Sequence, residues 1–211
     1  MAGDNQKNHK RAAWREYAEA LGLALLLALF IRSFVVQAFK IPSGSMLPTL
    51  EVGDHLLVSK FLYGIRVPLW GERLFDFKKP ERGDVVVFVY PQDRSKDFIK
   101  RVQGLPGETI ELRNKVLYVN GRRVDDPRAF YRPVALDGPR GGRHPRDNFG
   151  PVVIPEGHVF VLGDNRDHSH DSRFWGTVPI KDILGKAFIL YWSWNSEDFR
   201  PRWERIAMPV P

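Results

Sequence analysis

The chain contains no cysteine among its 211 residues. That excludes a disulfide framework, a zinc–thiolate site and a cysteine nucleophile. It leaves the compartment open, because an exported protein need not use disulfides. No segment repeats at a fixed period, which excludes a solenoid. The 18 glycines and 16 prolines follow no triplet pattern, which excludes collagen. A dense basic run is also missing, although 32 Lys and Arg against 25 Asp and Glu leave a formal net charge of +7. Cations such as Arg94, Lys96, Lys100, Arg101, Arg122, Arg123, Arg140, Arg143 and Arg146 are spread along the chain. A scattered set reads as solvated surface rather than as a nucleic-acid footprint, and anionic lipid is the other partner that a basic face could meet. What is present suffices for a core: 43% of residues are hydrophobic and 27% charged, too apolar for a wholly disordered chain. The length suits one domain with an appendage or with a large insertion.

The greasiest stretch lies near the N-terminus. Residues 1–16 are polar, with Lys7, Lys10, Arg11 and Arg15. From Tyr17 to Val36 a helix would span about 30 Å, one bilayer core. Glu19 and Arg32 sit near its ends, where long side chains reach the headgroups. The uninterrupted apolar run, Ala20–Ile31, is short for a span. A buried soluble helix usually carries a polar stripe, and Leu21–Phe30 has none. A cleaved secretory signal is the stronger rival to an anchor, with Val36-Gln37-Ala38 as a small-residue cleavage site. In either case the basic N-terminus stays inside and the rest is exported.

Beyond Val36 the pattern is β. Short β-branched and aromatic runs alternate with Gly, Pro, Asn and Asp. The expected strands are His55–Ser59, Asp84–Tyr90, Asp97–Gln103, Thr109–Arg113, Lys115–Val119, Arg122–Val124, Val159–Leu162 and Leu184–Trp192. Asn120-Gly121 is the two-residue hairpin signal, and Arg82-Gly83-Asp84 turns into an apolar run. Pro127–Pro155, rich in Pro, Gly and Arg, reads as a long irregular connection or an inserted lobe of a second small sheet. The fold expected is all-β: an N-terminal transmembrane helix, then a many-stranded β domain with an inserted smaller β lobe. The bounds are 1–16 for the polar segment, 17–36 for the anchor, 37–193 for the β domain (insertion roughly 103–155) and 194–211 for a tail with little pattern.

Three segments hold chemistry-bearing residues. Ile41-Pro42-Ser43-Gly44-Ser45-Met46-Leu47-Pro48-Thr49 sets two serines around a glycine between stiffening prolines. A nucleophilic serine needs such a rigid exposed setting with a base beside it, yet Ser-Gly-Ser is also ordinary loop composition. In Phe98-Ile99-Lys100-Arg101-Val102, strand alternation puts Lys100 on a face with Phe98 and Val102, and Arg101 on the other. Burial there would disfavour the ammonium and prepare the lysine as a base, whereas a lone lysine more often lies along a sheet with its head in water. Gly163-Asp164-Asn165-Arg166-Asp167-His168-Ser169-His170-Asp171-Ser172-Arg173 crowds polar residues into one loop. A self-bonded brace, a metal site and a Ser-His-Asp triad drawing on His168 or His170 all fit that composition.

Taken together, in this order and behind the apolar segment, these motifs resemble the bacterial type I signal peptidases (leader peptidases). The resemblance rests on residues 41–50, 82–91, 99–107 and 163–176, and it favours a retained anchor over a cleaved signal. It implies a membrane-bound serine endopeptidase that uses a serine–lysine dyad to remove signal peptides from exported preproteins, cutting after small residues of the Ala-x-Ala type. By this resemblance Ser45 is the nucleophile and Lys100 the general base. Ser43 and the Ser45 amide form the oxyanion hole, and Ser169 orients the lysine. Asp171, Arg173, Gly163, Asp164 and Asn165 brace the site. Phe39, Ile41, Pro42, Leu56, Val58, Phe98 and Ile99 line shallow substrate pockets. It further implies preprotein substrates and membrane lipid as partners, with no cofactor, metal or nucleic acid. The localisation it implies is a single-pass protein of the cell membrane, N-terminus cytoplasmic and β domain outside. His168 stands where many relatives carry Asn.

Overall fold

The computed structural model describes residues 3–66, 73–74, 77–131 and 144–211. Its first element is the helix α1 (Gly3–Phe30), which runs into a π-helical turn, Ile31–Val35. Strand β1 (Val36–Lys40) follows at once, so the expected helix over Tyr17–Val36 is corrected at its C-terminal end. Val36 is already extended and pairs with Ser59, as suits the β-branched pair Val35-Val36. No helix among the described residues is long and apolar enough to cross a membrane. The apolar side chains Leu21, Leu23, Leu25, Leu26, Leu27, Leu29 and Phe30 all stand exposed on α1.

The main sheet takes β1, β2 (Asp54–Ser59), β5 (Val85–Val89), β6 (Asp97–Gly104), β11 (His158–Leu162), β12 (Val178–Pro179) and β13 (Ile183–Asn195) in the order β1-β2-β13-β5-β6-β11-β12. The short β14 (Arg200–Pro201) pairs with β13. These strands pair antiparallel. Between β6 and β11 the chain leaves to build a second sheet, β10-β7-β8-β9, from β7 (Thr109–Arg113), β8 (Val116–Val119), β9 (Arg122–Val124) and β10 (Phe149–Val153). A two-stranded ribbon pairs β3 (Ile65–Arg66) with β4 (Arg73–Leu74). The hairpin at Asn120-Gly121 turns as its sequence requires, with φ of 52° and 74° at the two residues.

The core is layered through strand alternation. In β5, Val85 and Val87 enter a cluster with Ile41, Met46, Leu50, Leu56, Val58, Ala187 and Leu190, while Val86 and Phe88 enter another with Val102, Val159 and Val161. In β11, Val159 and Val161 face that second cluster, and Phe160 and Leu162 face a third made with Ile110, Leu112, Leu117, Val119 and Ile154 of the small lobe. Such two-sided burial explains why both strands are unbroken apolar runs.

Of the two readings of Pro127–Pro155, its described part fits the inserted lobe of a second small sheet: residues 149–153 form the strand β10 against β7, though Gly150 and Pro151 hide it in sequence, while Arg140 and Arg143, within residues 132–143, lie outside the described residues. The tail is not loose. It returns along β13: Leu190 N donates to Met208 O, Val210 N to Phe188 O, and Val210 enters the first core. Arg205 donates to both Asp54 carboxylate oxygens, at 3.1 and 2.6 Å. Backbone pairing and ion pairs of this kind leave no periodicity to detect.

Candidate active site

Ser45 sits on a single 3₁₀ turn, Gly44–Met46, that begins after extended Ser43. Its neighbours fix it. Ile41 N donates to Asp54 O at 2.8 Å, and Ile41, Met46 and Leu50 are core residues, so the turn is pinned from below. From the side, Asn165 Nδ2 donates to Gly44 O at 2.9 Å and Asn165 N to Ser45 O at 3.2 Å. Ser45 itself is half-buried and Ser43 exposed.

Lys100 lies in β6, between β5 and β11 in the sheet interior. The alternation expected from sequence holds: Phe98 and Val102 pack in the second core, Ile99 against the first, and Arg101 points to the polar loop. Lys100 is only 4% exposed. Its Nζ donates to Ser45 Oγ at 2.8 Å and to Ile99 O at 2.8 Å, and stands 5.5 Å from the centroid of the Phe98 ring. Burial lowers its pKa to about 8, against an opposing pull from Asp171 and Asp164. A lysine so placed spends a usable fraction of its time neutral near neutral pH, and a neutral amine at that distance can take the proton of a hydroxyl.

The loop Gly163–Gly176 braces this pair. Arg101, 1% exposed, holds Asp164 through Nε at 2.8 Å and Nη2 at 2.7 Å, and Thr49 Oγ1 adds a third bond at 2.5 Å. Asp171 receives Arg173 Nε and Nη2 at 2.8 Å each and Gly163 N at 3.1 Å, and it caps α2 (Ser172–Trp175). Burial acts to raise the Asp171 pKa, but the Arg173 guanidinium outweighs it and holds the carboxyl below its ordinary value. Both of these ion pairs, Arg101–Asp164 and Arg173–Asp171, are bidentate, the arrangement that makes ionic groups tolerable in a core. The Lys100 amine spends its hydrogen bonds on Ser45 and Ile99, and the buried Ser169 hydroxyl, expected from the family pattern to orient it, acts instead on the Asp171 carboxylate.

Gly163 has no room for a side chain: a Cβ there would strike Ser169 Oγ and the Ser45 carbonyl. Gly163→Ala is expected to cut activity by ~10² or more, since an ångström of displacement at a reacting pair costs about that much. Steady-state kinetics on the folded variant check this.

A cleft of about 370 Å³ opens over the pair, lined by Ser43, Gly44, Ser45, Leu47, Phe98, Lys100, Asn165, His168 and His170. Of the expected pocket residues only Phe98 lines it. Ile41, Leu56 and Val58 belong to the core, Phe39 and Ile99 pack against that core, and Pro42 is exposed. Strand alternation turns Leu56 and Val58 inward together with buried Asp54. The exposed His168 and His170 flank buried Ser169, and His170 packs on Phe174 with ring centroids 5.2 Å apart and lies 3.4 Å from Tyr90 Oη. Among the described residues no group of three His, Cys, Asp or Glu side chains could hold a metal ion. Sequence reasoning missed Thr49, Leu47 and the role of Arg101; for Arg101 a signal existed, because a strand arginine on a buried face needs a carboxylate and Asp164 was in reach.

A model of the family described as signal peptidase, peptidase S26, matches residues 14–192. A signal peptidase I of Pseudomonas aeruginosa is 40% identical over 96% of this chain and 82% of its own length. A probable signal peptidase I-2 of Synechocystis is 38% identical over 85% of this chain and 73% of its own length. The crystal structure of a signal peptidase I from Enterococcus faecalis aligns with 52% of this chain and 97% of its own, at 34% identity and a TM-score of 0.42.

Proposed function

The chain belongs to the signal peptidase family, peptidase S26, and is a serine protease; from that premise we propose that it removes signal peptides from exported preproteins by a Ser45–Lys100 dyad. The observation that carries this reading is the 2.8 Å contact between Ser45 Oγ and the buried Lys100 Nζ. In the proposed cycle neutral Lys100 takes the Ser45 proton as Oγ attacks the scissile carbonyl. The Ser43 hydroxyl and the Ser45 N–H donate to the oxyanion; one such donor is worth ~10²–10³ in rate. The lysine ammonium passes its proton to the leaving amine as the C–N bond breaks. Neutral again, it takes a proton from water, whose oxygen attacks the acyl ester, and it passes that proton to Ser45 Oγ as the ester bond breaks, which restores both groups.

The finer features belong to the same proposal. The cut follows small residues of the Ala-x-Ala type, as the shallow setting of Ser45 above a filled core favours. The exposed apolar flank of α1, continued through the π-helical turn to Val36, attaches the chain to the cell membrane. The basic N-terminal residues stay cytoplasmic and the β domain lies outside. A substrate tethered to the same membrane meets the cleft at raised effective concentration.

His168 and His170 also line the cleft, which keeps a histidine base as the rival to test. With purified protein in detergent and an Ala-x-Ala peptide, the acidic limb of the pH–rate profile should lie near the Lys100 value of about 8. The double variant His168→Ala/His170→Ala should keep most activity and the same limb. A limb that disappears with the histidines overturns the dyad.

A further inference from the structure

We infer that Asp126, on the segment leaving the small sheet after β9, is a positioning residue for the Ser45–Lys100 pair and acts through Arg166; the inference rests on the dyad reading above. The inserted lobe and the active-site loop meet at a buried junction. The Arg166 side chain is 1% exposed and that of Asp126 9%. Arg166 Nη2 donates to Asp126 Oδ2, and Gln103 Nε2, from the end of β6, donates to the same oxygen at 2.6 Å. On its other side Arg166 Nε donates to Gly163 O at 3.1 Å, and Arg173 Nη2 donates to Arg166 O at 2.7 Å. The backbone repeats the link: Phe130 N donates to Asp164 O at 2.7 Å and Arg166 N to Phe130 O at 2.9 Å, a short parallel bridge between residues 125–131 and the loop.

Arg166 is next in the chain to Asn165, the loop residue that holds the Ser45 turn. Gly163 lies so close to Ser169 and the Ser45 carbonyl that a Cβ there would strike both, and Asn165, bracketed by Asp164 and Arg166, holds Gly44 O and Ser45 O. Among the described residues Asp126 is the carboxylate that pairs with the buried Arg166 guanidinium. Neutralising it leaves an uncompensated buried cation, which relaxes by seeking water. The loop would lift, Ser45 would lose its side support, and water would reach Lys100. Asp164 and Asp171, whose charges act on Lys100, are both on this loop, and burial is what lowers its pKa. A wetter Lys100 titrates at higher pH.

The test uses the full chain with Asp126→Asn, Asp126→Glu and Arg166→Lys, and with Ser45→Ala alongside. Asp126→Asn should lower kcat by ~10- to 10²-fold with KM within about twofold, and move the acidic limb to higher pH. Asp126→Glu, which keeps the charge, should recover part of both. Arg166→Lys, which keeps the charge and loses the planar fork, should resemble Asp126→Asn and supplies the readout if that variant does not fold. Wild-type kcat and an unmoved limb in the folded variants overturn the inference, as does a loss of kcat that Asp126→Glu does not relieve. Activity surviving in Ser45→Ala overturns the dyad instead, so the two failures are separable.

Discussion

Replacing Lys100 with methionine is expected to abolish peptide cleavage and, at neutral pH, to raise the melting temperature. Both outcomes follow from the same burial. Methionine matches the lysine stem and fits among Phe98, Val102 and their neighbours but offers no basic atom, so Ser45 keeps its proton and the rate should fall by at least ~10³. The stability effect has a definite sign. Lys100 has a pKa of 10.5 when unfolded and about 8 when folded, which corresponds to a folding penalty of about 3 kcal/mol. The penalty is fully present below pH 8, shrinks as pH rises from 8 to 10.5, and is gone above that. Methionine escapes it. Thermal melts should therefore place Lys100→Met several degrees above wild type at pH 7, with the gap closing toward pH 10.5. Cleavage by Lys100→Met at the wild-type rate would end the proposed mechanism.

The largest loss is expected from Ser45→Ala. Without Oγ there is no atom to form the acyl ester, and what remains is binding and oxyanion stabilisation, so kcat should drop by ~10⁴ or more. The fold should not notice. Ser45 is half-buried, its carbonyl and the Gly44 carbonyl still receive Asn165, and Met46 and Leu50 still anchor the turn. A stability change under about 1 kcal/mol is expected. Mass spectrometry of enzyme quenched during turnover gives a direct check: a covalent adduct on wild type and none on the variant. An adduct that persists in Ser45→Ala would place the nucleophile elsewhere.

Much of this fold was legible because strands announce themselves through alternation and turns. Thr109–Arg113 and Arg122–Val124 match their expected bounds, and Lys100 and Arg101 diverge to opposite faces as a period of two requires. The pair Ser45 and Lys100, 55 positions apart, was legible through family resemblance; composition and spacing left several chemistries open. What escaped is tertiary by nature. Val36–Lys40 is a strand because β2 offers it an edge, and β10 carries Gly150 and Pro151 where a strand signal would be sought. The tail is held by Arg205, Asp54 and backbone bonds to β13, and the expected pocket residues Leu56 and Val58 are drawn into the core. Partners of this kind are distant in sequence, and a single chain read locally does not name them.

Strand β11 carries a lesson about how such a chain can change over generations. Phe160 and Leu162 are completely covered, and the covering comes from the lobe that leaves the chain after β6. Shortening that lobe would uncover two large greasy side chains on the strand that leads into Gly163. A trimmed descendant would have to recolour positions 160 and 162 with polar residues in the same evolutionary step, so the excursion can lengthen by loop insertion far more easily than it can be lost.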